Sequence, residues 1–218
     1  MTNSEAEAVP AFRFPDHVQD LLGRDPTASE RFDVGEFRRQ QARQYCDTKF
    51  PKMFVHAAVD IPDVARWVEG FRSGEPRSLL LLGVTGAGKT HAAFGALRAA
   101  VTQPVAVRWE ATTAADLYAD LRPRSGTDSE AILERYRRAD LLLLDDLGAA
   151  RPTEWVEEMT YRLLNDRYAE QRPVIITTNL PLVDFKARLG DRITSRLAEM
   201  CTRVVLTGPD RRRQNPAQ

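Results

Sequence analysis

The chain is poor in cysteine and histidine, carries no net charge and has no long apolar run, and each shortage removes a class of protein. Its 218 residues hold only two cysteines, Cys46 and Cys201, far apart. Even with the three scattered histidines, His17, His56 and His91, these cannot assemble a four-ligand zinc site. A reduced, cytoplasmic chain is the simplest reading. No stretch approaches the roughly 18 apolar residues of a membrane span. The acidic first ten residues lack the apolar core of a signal peptide. Lys+Arg and Asp+Glu both number 31, so any contact with nucleic acid must come from a local patch. No internal repeat is visible. At 43% hydrophobic and 28% charged residues, what remains is an ordinary globular composition, long enough for one α/β domain and a small appendage.

Against this background residues 83–90 stand out. They read Gly-Val-Thr-Gly-Ala-Gly-Lys-Thr, directly after four leucines, and match the phosphate-loop pattern at every fixed position. A buried strand delivers the chain to one point, and the glycines let successive backbone N–H groups turn inward around an anion. Lys89 is placed to reach the β- and γ-phosphates of a nucleoside triphosphate and the Thr90 hydroxyl to ligate Mg²⁺. Gly83, Thr85, Gly86, Ala87, Gly88, Lys89 and Thr90 are therefore the candidate nucleotide contacts.

Around this loop strands and helices alternate. Residues 1–30, rich in Glu, Asp, Pro and Ala, read as a flexible leader, or alternatively as a docking peptide around residues 12–22. A polar, basic helix is expected at 32–45, and a second at 62–71 with Asp60 as its cap. Strands are expected at 79–82, 105–109, 141–145, 174–178 and 204–206. Helices are expected at 89–101, 113–121, before 138, at 154–171 and at 191–200. Continuous apolar strands separated by helices predict a parallel sheet covered on both faces.

Three further constellations point at the same sheet edge. Leu141–Leu144 end on Asp145 and Asp146, which puts two carboxylates at the carboxyl end of a buried strand, where open α/β sheets bind ligands. Asp145 suits Mg²⁺, and Asp146 suits general-base activation of water. Ile175–Thr178 end on Asn179, which either senses the γ-phosphate or serves as a turn residue before Pro181. Arg192 and Arg196 share a helix face. They are either solvated surface charges or groups that neutralise transition-state charge on a neighbouring subunit's nucleotide.

These stretches, in this order, resemble the AAA+ ATPases. Leu144–Ala149, Pro152–Trp155, Leu164–Tyr168, Ile176–Leu180 and Gly190–Cys201 resemble more closely its DnaC/DnaI helicase-loader branch, which includes the IstB transposition helpers. The resemblance implies an α/β fold with a three-layer P-loop NTPase core of the ASCE/AAA+ type. It also implies a central parallel sheet, no C-terminal helical lid and a short helical N-terminal extension. The expected layout is a leader at 1–30, the helical extension at 31–75, the ATPase core at 76–212 and a flexible tail at 213–218. ATP and Mg²⁺ are the implied cofactors, held at interfaces between self-associated subunits. The resemblance makes Asn179 the first sensor, Arg196 the trans-acting finger, Arg192 its supporting residue and Arg212, with Arg211 close behind, the second sensor. Asp146 stands where many AAA+ proteins carry Glu, which implies slow hydrolysis.

Family members hold single-stranded DNA through elements between the second and third strands. Here that interval carries Arg108, Arg122, Arg124, Arg135, Arg137 and Arg138, with Trp109, Tyr118 and Tyr136. Cations can track phosphates and aromatic faces can stack bases. The leading expectation is a replicative helicase loader that binds ATP–Mg²⁺ and single-stranded DNA as an oligomer, with the helicase as partner. An IstB-like transposition helper on duplex DNA and a nucleotide-switched adaptor with negligible hydrolysis are the alternatives. A small-molecule kinase would need an acceptor pocket and an arginine-rich lid; Asn179 with Arg192 and Arg196 argues against it.

Overall fold

A computed structural model describes residues 33–75, 77–126 and 128–207. The leader, the Arg211–Arg212 pair and the tail lie outside these residues. Nearly all of the described residues belong to one compact unit, Gly35–Gln218.

The elements in chain order are α1 (Val34–Lys49), α2 (Pro62–Arg72), β1 (Ser78–Leu82), α3 (Lys89–Val101), β2 (Trp109–Thr113), α4 (Ala114–Leu121), α5 (Ser129–Arg138), β3 (Leu141–Asp145), α6 (Glu154–Ala169), β4 (Val174–Thr178), α7 (Phe185–Leu189), α8 (Asp191–Met200) and β5 (Cys201–Val205). Single 3₁₀ turns lie at Lys52–Phe54 and Leu182–Asp184. The five strands form one parallel sheet in the order β2-β3-β4-β1-β5.

Strand periodicity explains the layers. Successive side chains of a strand point to opposite faces, and both faces here are apolar. Leu79, Leu81, Leu141, Leu143 and Ile175 meet α3, α2 and Cys46 and Phe50 at the end of α1 and just beyond it. Leu80, Leu82, Leu142, Leu144, Val174 and Ile176 meet α4 to α8. Four of the five alanines of α3 (Ala92, Ala93, Ala96, Ala100) are buried, so this helix lies close on the sheet and brings its N-terminus to the end of β1.

Close approach also explains Gly95 in the middle of α3. A Cβ there would lie 2.5 Å from the Ala58 carbonyl oxygen and 2.7 Å from its carbon. Gly95→Ala gains about 1 kcal/mol in helix propensity but forces the 57–58 backbone away, which costs roughly 1–3 kcal/mol. A net fall in the chemical denaturation midpoint is expected. An unchanged or raised midpoint would mean that the neighbouring segment yields freely.

Four expectations need correction. The second strand runs over Trp109–Thr113, because Trp109 pairs with Leu141 and Thr113 with Asp145, while Val105 is 66% exposed. Cross-strand pairing overrides the local alternation at 105–109. The last strand starts at Cys201, directly after α8, since Cys201 pairs with Ser78 and Val205 with Leu82. Helix α2 has Ile61, not Asp60, at its N-cap and no side-chain cap. Helix α7 was not expected; Phe185 and Leu189, one turn apart and both buried, carry the signal for it.

Candidate nucleotide site

The loop between β1 and α3 is wound by left-handed glycines, Gly86 at φ 83° and Gly88 at φ 90°. Only residues without a Cβ adopt such angles cheaply in succession. At Gly83 the constraint is steric as well, since a Cβ would come within 2.6 Å of the Leu206 carbonyl. Ala87 donates its N–H to the Val84 carbonyl at 3.2 Å, closing the turn. Gly88 is the N-cap of α3, so that helix dipole points at the space enclosed by the loop. A cavity of about 570 Å³ opens there, bordered by Thr85, Gly86, Gly88, Lys89, Thr90, Asp146 and Asn179.

Lys89 is 5% exposed. Its Nζ donates to the Val84 carbonyl at 2.9 Å and to Asn179 Oδ1 at 2.5 Å. The cation is thereby aimed across the cavity from the end of β1 to the end of β4. Thr90 Oγ1 lies 3.1 and 3.2 Å from the two carboxylate oxygens of Asp145. Burial raises the pKa of the Asp145 carboxyl, and the charge of Asp146 adds to this, while the Thr177 and Thr90 hydroxyls and Lys89 work against it. Asp146 adopts a left-handed backbone, φ 57°, a strained angle that a short polar side chain tolerates. Its carboxylate accepts from Asn179 Nδ2 at 3.3 Å.

Thr177 ties the two acids together and was missed as a site residue. It is fully buried. Its hydroxyl donates to Asp145 Oδ1 at 2.6 Å and accepts the Asp146 N–H at 2.9 Å. Thr177→Val keeps the shape and removes both bonds. Turnover of a bound nucleotide is expected to fall about 10- to 100-fold, as for other supporting groups around a metal ligand, with affinity changing much less. Equal rates in the two proteins would show that the carboxylates need no such support.

The residues suit Mg²⁺. Among the described residues no cluster of three His, Cys, Asp or Glu side chains could hold a metal alone. One hydroxyl and one carboxylate are what Mg²⁺ takes from protein when phosphate oxygens and waters complete its octahedron. Met53, Phe54 and His91 line the same cavity. Phe54 stacks on Phe94 at 4.9 Å and Met53 is 78% exposed. A turn after Pro51 carries no sequence signal for ligand contact, so Met53 and Phe54 were not foreseen, and His91 lies one residue past the last fixed position of the loop pattern.

Arg192 and Arg196 do not border this cavity. Both turn toward α6, Arg192 over the Tyr161 ring at 5.5 Å and Arg196 over the Tyr168 ring at 4.4 Å. The arginines from Arg108 to Arg138 are largely engaged at home. Arg108 pairs with Asp140, Arg137 with Asp166, Arg138 with Glu134, and Arg135 lies over Tyr136. Tyr118 and Tyr136 are core residues, 5% and 3% exposed, so base stacking on them is excluded. Trp109 is half-buried against Tyr45 and Phe50. Exposed Arg122, over the half-buried Trp155, and Arg124 remain on that surface.

A parallel sheet in this order, a phosphate loop between β1 and α3, and paired acids at the end of β3, with β4 between it and β1, define a P-loop NTPase of the AAA+ class. The family model described as IstB-like ATP binding protein matches residues 71–218, and the chain belongs to that family. It is 32% identical over 142 residues to the phage-like element PBSX protein XkdC of Bacillus subtilis strain 168, covering 62% of this chain and 51% of that protein. It is 26% identical over 138 residues to the replicative helicase loader DnaC of Escherichia coli strain K12, covering 61% and 54%. The chain thus spans about half the length of these curated relatives. A crystal structure of the DnaC helicase loader superposes with a TM-score of 0.63 at 24% identity, over 72% of this chain and all of that one. Among the described residues no helix is long and apolar enough to cross a membrane.

Proposed function

We propose that this chain is an ATP-driven DNA replication protein of the cytoplasm, a replicative helicase loader that binds ATP–Mg²⁺ and single-stranded DNA as an oligomer. The observation that carries the reading is the division of the site. One cavity is bordered by the phosphate loop, Lys89, Thr90, Asp146 and Asn179, with Asp145 against the Thr90 hydroxyl, while Arg192 and Arg196 sit outside it on α8. Among the described residues the site offers one cation against two acids, too little positive charge for a γ-phosphate in transit, and in this reading a second subunit supplies more.

In this reading the loop N–H groups and Lys89 hold the β- and γ-phosphates, with Lys89 exchanging the Asn179 amide oxygen for phosphate. Thr90 and Asp145 hold Mg²⁺, which when bound offsets phosphate charge. Met53, Phe54 and His91 flank the base and ribose. Asp146 accepts a proton from the attacking water, and the Asn179 amide beside it orients that water. Asp146 is one methylene shorter than Glu, so the water is less closely engaged and turnover is slow until assembly. Arg212 as second sensor is part of the same proposal. DNA contact is assigned to Arg122 and Arg124, where charge is exposed. Similarity to the DnaC loader supports the helicase as partner.

The test is capture of a replicative helicase by the immobilised full chain in ATP and in ADP. Nucleotide-dependent retention is expected; no retention in either would sink the loader reading. The family match itself favours one alternative, a transposition helper on duplex DNA, and selective capture of a transposase would decide for it.

A further inference from the structure

One stretch singled out in the sequence, Asn165-Asp166-Arg167-Tyr168 on α6, takes no part in the nucleotide cavity. Two of its residues close on Arg196. The Arg196 guanidinium lies over the Tyr168 ring at 4.4 Å, and its Nε donates to Asn165 Oδ1 at 3.3 Å. Glu199 is the nearest acid, but its carboxylate accepts Tyr168 Oη at 2.6 Å and Ser195 Oγ at 3.2 Å. Its distance to Arg196 Nη1 is 3.6 Å. The acid is therefore spent on neutral donors, and the arginine is held by a ring face and an amide rather than locked in a tight ion pair. Arg192 is different: it is exposed and meets Tyr161 at 5.5 Å.

We propose that Asn165 and Tyr168 are positioning residues that hold Arg196 in the orientation from which it reaches a neighbouring subunit's nucleotide. The proposal rests on the reading of Arg196 as the trans-acting arginine. The physical reason is conformational entropy. A free arginine samples many rotamers, and ordering it during the reaction slows the step that uses it. A ring under the guanidinium plane and an acceptor at Nε fix its plane and direction. Arg suits this role better than Lys because a planar cation stacks.

The test is ATP turnover by the full chain at assembling concentrations, with ATP affinity and Tm measured in parallel. Tyr168→Leu and Asn165→Ala are each expected to lower kcat about tenfold, with KM within about twofold and Tm little changed. Tyr168→Phe, which keeps the stack but frees Glu199 to pair with Arg196, recovers part of the rate. Tyr168→Leu mixed with Lys89→Ala regains turnover, because the Lys89 variant donates a well-held Arg196 to the competent sites. A kcat loss that mixing fails to repair, in assemblies shown by cross-linking to be mixed, places the effect in cis and overturns the proposal. Wild-type kcat in Tyr168→Leu and Asn165→Ala, with Arg196→Ala inactive, overturns positioning while leaving the trans arginine intact. Wild-type kcat in Arg196→Ala overturns the trans arginine itself.

Discussion

Lys89→Ala and Arg196→Ala are each expected to lose ATP turnover alone and to regain part of it when mixed. The two losses have different origins. Lys89 lies in the cavity with its Nζ between Val84 and Asn179, so its removal takes away the cation that meets the phosphates, and binding fails. Among the described residues Arg196 touches only α6 and its own helix, so Arg196→Ala is expected to bind ATP like the parent chain. Its turnover should nevertheless fall by about 10³-fold or more, the lower range for an arginine supplied from a neighbour. In a mixed assembly a Lys89→Ala subunit presents an intact Arg196 to an Arg196→Ala subunit that still binds ATP. Random mixing at equal amounts yields some such pairs, and turnover should return in them. Mixed assemblies with no recovery would count against a shared site. Asp146→Asn offers a separate check on the base: comparable hydrolysis by it and the parent would remove the catalytic role assigned to that carboxylate.

The second large effect concerns stability. Arg167 is fully buried and donates to the carbonyls of Tyr136 at 2.7 Å, Arg137 at 3.2 Å and Ala139 at 3.0 Å, and to Pro173 at 2.5 Å. These carbonyls close the C-terminus of α5 and the turn into β4, and a helix end buried without partners is costly. Among the described residues no carboxylate hydrogen-bonds to Arg167, and burial pulls its pKa down to about 9, with the charge of Arg172 adding to this and that of Asp140 opposing it. Its hydrogen bonds go to backbone carbonyls. Arg167→Met should fill much of the volume yet leave the Tyr136 and Ala139 carbonyls unsatisfied, at roughly 3–5 kcal/mol in total. For a domain of this size that lowers Tm by about 10 °C. Nucleotide affinity at the lower temperature should be unchanged, because Arg167 sits at the end of the sheet where strands begin. A Tm within about 2 °C of the parent would mean that water replaces the guanidinium.

Most of the central sheet was legible because its strands are short apolar runs with nothing to compete. The leucines of β1 and β3 and the Val174–Thr178 run have one plausible state, and the structure keeps their ends within a residue. Edge strands were less legible. Strand β2 contains Glu110, Thr112 and Thr113, half-buried throughout, and only pairing with β3 selects that register. Strand β5 leaves Arg203 and Val205 exposed and is defined by β1 beside it.

The site divides along the same line. By itself the sequence determined the phosphate loop, the helix it caps, the acids at the end of β3 and the amide at the end of β4. Each is fixed by local chemistry: glycines where positive φ is needed, polar groups where a buried strand reaches water. Only the tertiary structure decided which partners these groups have. Thr177 became the clasp of two acids, Arg167 an internal cap, Tyr118 and Tyr136 core, and Arg196 a guest of α6. Those outcomes depend on residues about 30 or more positions apart meeting across the sheet and between helices, and no local pattern encodes such distances.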